Sequence, residues 1–337
     1  MDRLRRVVGS LPFRVLVTAG LLVLVATRVD WSAAGERLAD GEWGWFAAAV
    51  GLLVAALVVG AERWHFLLHA AGIDSPHLQT LRAYAIGVFS NNFLPTGFGG
   101  DAARAWIVGR SRAAMTRAAT SVVVDRLTSI CCLVLVAWGA TALSPASVPE
   151  ELLVVLAVAS GAGLVAAGVL FLGVRSGHGI ARRLPARVQR IARETRGTLV
   201  AYARDRWLIG AALLLGVIFQ LLMVTAAWFL AKAIEIDVSF AVIAVVTPLV
   251  LLITLLPISV AGFGLREGSY AVLLAEAGVS TTAATLLSLL TVAALAASSL
   301  PGAFALLLPG ARPPAARATE PSATVAPAPP SASGSAR

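Results

Sequence analysis

Uncharged apolar runs about as long as a bilayer is thick recur along this chain, and they constrain it more than any other feature. Residues 43–61, 207–231 and 281–308 contain no Asp, Glu, Lys or Arg. A helix needs about 20 apolar residues to cross the hydrocarbon layer. Backbone N–H and C=O groups find no water there, so a spanning segment must be a helix or part of a closed barrel. A barrel would show alternating segments of about ten residues, and the sequence has no such pattern. Composition agrees: 58% of residues are hydrophobic, 13% are charged and the mean hydropathy is +0.84. Soluble domains are about a quarter charged. The sequence specifies an all-α polytopic membrane protein.

Two apolar runs are interrupted in the same way. Phe89-Ser90-Asn91-Asn92-Phe93-Leu94-Pro95-Thr96-Gly97-Phe98-Gly99-Gly100 ends one run and leads into a helix-like segment opened by Asp101 and Arg104. Leu256-Pro257-Ile258-Ser259-Val260-Ala261-Gly262-Phe263-Gly264 ends the other and leads into Leu265-Arg266-Glu267. Both read Leu-Pro, then Gly-Phe-Gly, then a charged pair. The upstream spacing also matches, with 52 residues from Trp43 to Pro95 and 50 from Trp207 to Pro257.

Residues 1–28 have a basic start and an apolar core, like a signal peptide. No small-x-small cleavage site follows, so the segment is expected to stay as a first span at about 11–28. Further spans are expected at about 43–61, 118–143, 152–174, 207–231 and 281–308, six in all. The segment 62–77 is polar enough to leave the membrane. Loop charge then sets orientation, because Arg and Lys stay cytoplasmic. Residues 175–206 carry nine Arg, and 101–117 carry Arg104, Arg110, Arg112 and Arg117. The loops 28–42 and 144–151 are acidic. The N-terminus, the Arg-rich loop and the C-terminal tail are therefore assigned to the cytoplasm of a cell-membrane protein.

This assignment forces 78–117 to enter and leave on one side, and 240–278 on the other. Both are expected to be re-entrant helical hairpins whose breaks line one cavity, since irregular backbone at membrane depth needs protein or water around it. Units of about 43–143 and 207–308 then form an inverted repeat, a pattern found in transporters with a midplane site. The membrane domain is placed at 1–310. The tail 311–337, rich in Pro, Ala and Ser, is expected to be disordered.

The net charge of +9 fits Arg held at the cytoplasmic face, and no nucleic-acid partner is expected. Cys131 and Cys132 are adjacent within an apolar run and suggest no disulfide. Glu62, His65 and His69 share a helix face, but the metalloprotease spacing is missing, because Phe66 stands where its Glu would be. Neither a metal nor a cofactor is expected.

The two broken stretches resemble the lysylphosphatidylglycerol synthase transmembrane-region family, the flippase-like domain. Members show an Asn-x-x-x-Pro…Gly-Gly-Asp-x-x-Arg block early and a Pro…Gly-x-Gly-x-Arg-Glu block late. Here these are Asn91, Pro95, Gly99, Gly100, Asp101 and Arg104, then Pro257, Gly262, Gly264, Arg266 and Glu267. Asp125-Arg126 is similar to the acidic–Arg pair that follows the first block. The resemblance implies an integral membrane lipid translocase acting on an anionic phospholipid or a lipid-linked intermediate. A membrane enzyme acting on a lipid-linked sugar, or a membrane partner of a separate lipid-modifying enzyme, stays open beside it. In the synthases a soluble domain attaches the amino acid. Here a tail follows residue 310, so synthesis of aminoacylated lipid is not expected.

The candidate substrate-binding residues are Asn91, Asn92, Gly99, Gly100, Asp101, Arg104, Asp125, Arg126, Gly262, Gly264, Arg266 and Glu267. Arg suits a phosphate through its bidentate fork, and helix starts after Gly100 and Gly264 offer N–H groups to an anion. Several have a plainer alternative. Asp101 and Arg104 can pair with each other and with the helix dipole. Asn91 and Asn92 can cap the broken helix instead of binding headgroup hydroxyls. Asp125-Arg126 can be a buried structural pair.

Overall fold

The structure is a computed structural model that describes residues 11–93, 99–109, 111–176, 195, 197–200, 202, 205–255, 259–260 and 262–307. The tail, most of the Arg-rich loop, Arg3, Arg5, Arg6 and Arg110, and the tips of both breaks (94–98 and 256–258) lie outside the described residues. Regular structure among the described residues is helical throughout. In chain order the helices are α1 Leu11–Ala26, α2 Trp31–Ala39, α3 Trp43–Ala70, α4 His77–Phe93, α5 Gly99–Val108 and α6 Arg112–Leu143. Then come α7 Glu150–Ser176, α8 Arg206–Ala233, α9 Phe240–Thr254, α10 Leu265–Ala275 and α11 Thr281–Leu307.

Four helices among the described residues, α3, α6, α8 and α11, are long and apolar enough to cross a membrane. A bent pair in α1 and α2, Val17–Ala26 and Trp31–Ala39, would make a fifth. α1 covers most of the first expected span, but the loop expected after it holds a helix: the chain turns by 77° after Ala26 into α2. Asp30 caps α2 by accepting from the Ser32 and Ala33 N–H groups. The Ser32 hydroxyl and those N–H groups hold its carboxyl below the usual carboxylate range.

The segment 62–77 is not a loop from its start: α3 continues to Ala70 and buries Arg63 and Trp64 at 1% and 0% exposure. Arg63 belongs to an interior ion pair, whereas His69 and His77 are exposed. A correction is needed at 101–117, which breaks at Gly109. Ser111 caps α6 through the Ala114 N–H at 3.1 Å, so α6 starts before the expected 118.

α3 and α8 run antiparallel. Glu42 N–H reaches the Ala233 carbonyl at one end, and the Tyr202 hydroxyl reaches the Leu67 carbonyl at the other. The hairpin α4–α5 opens at the Leu67 end, where Arg117 of α6 donates to the Ala71 carbonyl at 3.3 Å. The hairpin α9–α10 opens at the other end, where α2 joins its two flanks. Arg37 donates to the Ile234 carbonyl at 3.1 Å, and the Asp30 N–H reaches Thr282 Oγ1 at 3.1 Å. The two hairpins therefore enter from opposite ends of the α3–α8 pair.

α9 has 15 residues, a length of about 22 Å at 1.5 Å per residue, which is short of a full crossing. Residues 241–250 are all buried, as expected of a helix that is apolar on every side.

Candidate functional site

α4 and α5 touch because glycines face each other. A Cβ on Gly100 would collide with the Gly87 carbonyl oxygen. Asn91 Oδ1 accepts the Gly100 N–H at 2.8 Å and so caps the start of α5. Its amide nitrogen is 3.5 Å from Asp101 Oδ1. Asn92 Nδ2 donates to the Leu295 carbonyl at 3.1 Å and ties α4 to α11.

From this helix start a ladder of alternating charges crosses α6, α5 and α3. Arg126 Nε donates to Asp101 Oδ2 at 2.9 Å. Arg104 Nε lies 3.2 Å from Asp101 Oδ1, close enough for charge attraction but out of line for a hydrogen bond. Arg104 Nη2 donates to Asp125 Oδ2 at 2.9 Å. Arg63 Nε donates to Asp125 Oδ1 at 2.8 Å, and its Nη2 donates to Ser129 at 2.7 Å. Each carboxylate holds two guanidiniums, and burial makes those pairings necessary. The Arg104 guanidinium also lies 4.8 Å from the Trp64 ring centroid and 5.0 Å from that of Tyr84.

The second break is built differently. Gly262 and Gly264 have φ of +79° and +80°, where glycine is favoured. The Gly264 N–H donates to Glu267 Oε2 at 2.6 Å, and Ser288 donates to Glu267 Oε1 at 3.4 Å. α1 supports this break: the Val260 N–H donates to Thr18 Oγ1 at 2.8 Å, and Leu21 fills the space that a Gly264 side chain would take.

Both breaks face one cavity of about 560 Å³. Asn91, Asn92, Asp101 and Arg104 reach it from the first hairpin, and Ser259, Gly262 and Arg266 from the second. Asp125, Arg126 and Arg63 line it as well, with apolar walls that include Leu53, Leu57, Leu133 and Leu251. The sequence profile described as the lysylphosphatidylglycerol synthase TM region matches residues 12–302, which include both breaks and the whole ladder. The chain belongs to this family.

The match is to the TM region alone. With its spanning helices, this lysylphosphatidylglycerol synthase TM-region protein is a multi-pass membrane protein of a lipid-metabolism family. A search of the curated proteins found no match.

Of the expected site residues in this TM-region protein, Gly99, Gly100, Gly264 and Glu267 do not line the cavity. They shape the two helix starts, and Glu267, 1% exposed, serves as a cap. Asp125 and Arg126 do not pair, because successive helix positions point about 100° apart. They pair with different partners along the ladder, Arg126 with Asp101 and Asp125 with Arg104 and Arg63. Arg63 was not among the expected site residues. Its signal was an Arg bounded by apolar helix on one side and a buried Asp elsewhere, each costly in a membrane unless paired. Among the described residues no group of three or more His, Cys, Asp or Glu is placed to hold a metal ion. The His65 ring stacks on His77 at 3.7 Å, and Glu62 lies 3.1 Å from His77 Nδ1.

Proposed function

We propose that the protein is a lipid translocase that moves an anionic phospholipid or lipid-linked intermediate between leaflets, with the headgroup passing through the shared cavity. The observation that carries this reading is the charge balance of that cavity. Arg63, Arg104, Arg126 and Arg266 line it against Asp101 and Asp125. The surplus is cationic and the walls are apolar, which suits a phosphate on an acyl or prenyl chain. Broken helices that approach one cavity from opposite ends are a transporter arrangement. The opposed hairpins support the inverted repeat of 43–143 and 207–308.

The headgroup ligands in this reading are Arg266 and Arg126. Arg266 has no ion-pair partner among the described residues, and the Arg126 side chain is 42% exposed. Arg104 is 3% exposed and committed to two carboxylates, so it positions the ladder and does not itself bind the headgroup.

In proteoliposomes carrying labelled anionic phospholipid, Arg266→Gln is expected to slow lipid transfer at least about tenfold, the equivalent of one lost charge-assisted contact. Its melting temperature in detergent should stay within about 2 °C of the parent, since no ion pair is broken. Unchanged transfer would reject the role of Arg266. No transfer by the parent protein would reject translocation.

Orientation is tested separately. With Cys131 and Cys132 replaced by Ala, single cysteines at Asp74 and Ser111 should both label from the cytoplasmic side, and one at Ser147 from outside. Labelling of 74 and 111 from opposite sides would eliminate the first re-entrant hairpin.

A further inference from the structure

We infer that the cavity takes a lipid phosphomonoester, a headgroup carrying close to two negative charges, in preference to phosphodiester or amine-bearing headgroups. The inference rests on the translocase reading for its biological setting, but its own ground is the arrangement of charge. The ladder runs Arg126, Asp101, Arg104, Asp125, Arg63. It begins and ends on a guanidinium and so retains one positive charge. Arg266 adds a second from the opposite hairpin. A phosphodiester brings one negative charge and leaves the cavity with one uncompensated cation inside a membrane. A phosphomonoester brings about −1.5 to −2 and three acceptor oxygens. It neutralises the cavity and offers oxygens to both hairpins.

A further observation points the same way. The two carboxylates that line the cavity each hold two guanidiniums already. Neither is left to receive an ammonium. An aminoacylated lipid or phosphatidylethanolamine would bring its cation into a site with surplus cation.

The test is binding of lipids with identical acyl chains to the purified full-length protein: phosphatidic acid, phosphatidylglycerol, phosphatidylethanolamine and lysylphosphatidylglycerol. At pH 8.5 phosphatidic acid should bind at least about tenfold tighter than phosphatidylglycerol, with the two amine lipids weaker still. At pH 5 the monoester regains its second proton, whose pKa is about 6, and the preference should shrink towards parity. The ionisable groups facing the site are the four Arg and two Asp above and Tyr84 of α4; no histidine lines it.

Arg266→Gln should reduce the preference to about twofold. Arg266→Lys, which keeps the charge, should retain most of it, and that guards against a folding defect in the first variant. Equal binding of diester and monoester, a preference indifferent to pH, or tight binding of an amine lipid would overturn the inference. Displacement by glycerol 3-phosphate at the same concentration as the lipid would overturn the lipid source and leave a soluble-phosphate site. Selective binding without transfer would retire only the translocase reading. Transfer without selectivity would retire only this one.

Discussion

Asp125→Ala is expected to lower the stability of the protein by about 3–5 kcal/mol, because it strands two buried guanidiniums at once. Arg63 and Arg104 both bind Asp125, and all three are at most 3% exposed. Both guanidiniums would be left buried without that carboxylate. The measurement is thermal or denaturant unfolding in detergent, with Arg126→Ala as the comparison. That side chain is 42% exposed, so its pair with Asp101 should contribute no more than about 1 kcal/mol. Replacing Asp125, Arg63 and Arg104 together by Leu or Met should recover much of the loss, since a well-packed apolar substitute for a buried ion network is often neutral. If Asp125→Ala melts with the parent protein, the ladder is not what joins α3, α5 and α6.

Gly100→Ala should be nearly as damaging, for a steric reason. Its new Cβ would meet the Gly87 backbone carbonyl, with the Asn91 side chain close behind. A backbone atom cannot rotate aside as a flexible side chain can, so the hairpin must open. The expected loss is about 1–3 kcal/mol or more, the usual range for overpacking. Opening the hairpin would also move Asp101 off Arg104 and Arg126, so lipid transfer should fall with stability. Gly268→Ala is the control. It lies within α10 with nothing near its Cβ direction, and gaining a better helix former should leave stability equal or raise it by up to about 1 kcal/mol. Parent-like unfolding and transfer by Gly100→Ala would show that the close approach of α4 and α5 does not matter.

Much of this architecture was legible because it is enforced locally. Uncharged runs must be helices in lipid, and Pro with clustered Gly must break them. Both breaks were therefore readable, as was their meeting in one cavity, because exposed backbone has nowhere else to go. What escaped was decided by distant partners. Arg63 sits beside Glu62, His65 and His69, so composition assigned it to a polar segment. Its partner Asp125 lies 62 residues away, and no local pattern announces the pair. Asp125 and Arg126 invited pairing by adjacency, which helix geometry forbids. Glu267 was read as a substrate ligand, but its carboxylate takes the Gly264 N–H and the hydroxyl of Ser288, which lies 21 residues away.

The mouths of the two hairpins differ sharply from the ladder in how firmly they are fastened. One mouth is closed by Arg117 on the Ala71 carbonyl, the other by Arg37 on Ile234 and the Asp30 N–H on Thr282. Such single hydrogen bonds contribute about 0.5–1.5 kcal/mol each, a few times thermal energy at most. The ladder is held several times more strongly. Polar grip is thus distributed unevenly: a buried girder runs through the middle, and each pole is latched by one or two hydrogen bonds over apolar packing. Losing a latch should therefore cost this molecule far less stability than losing a buried rung of the girder.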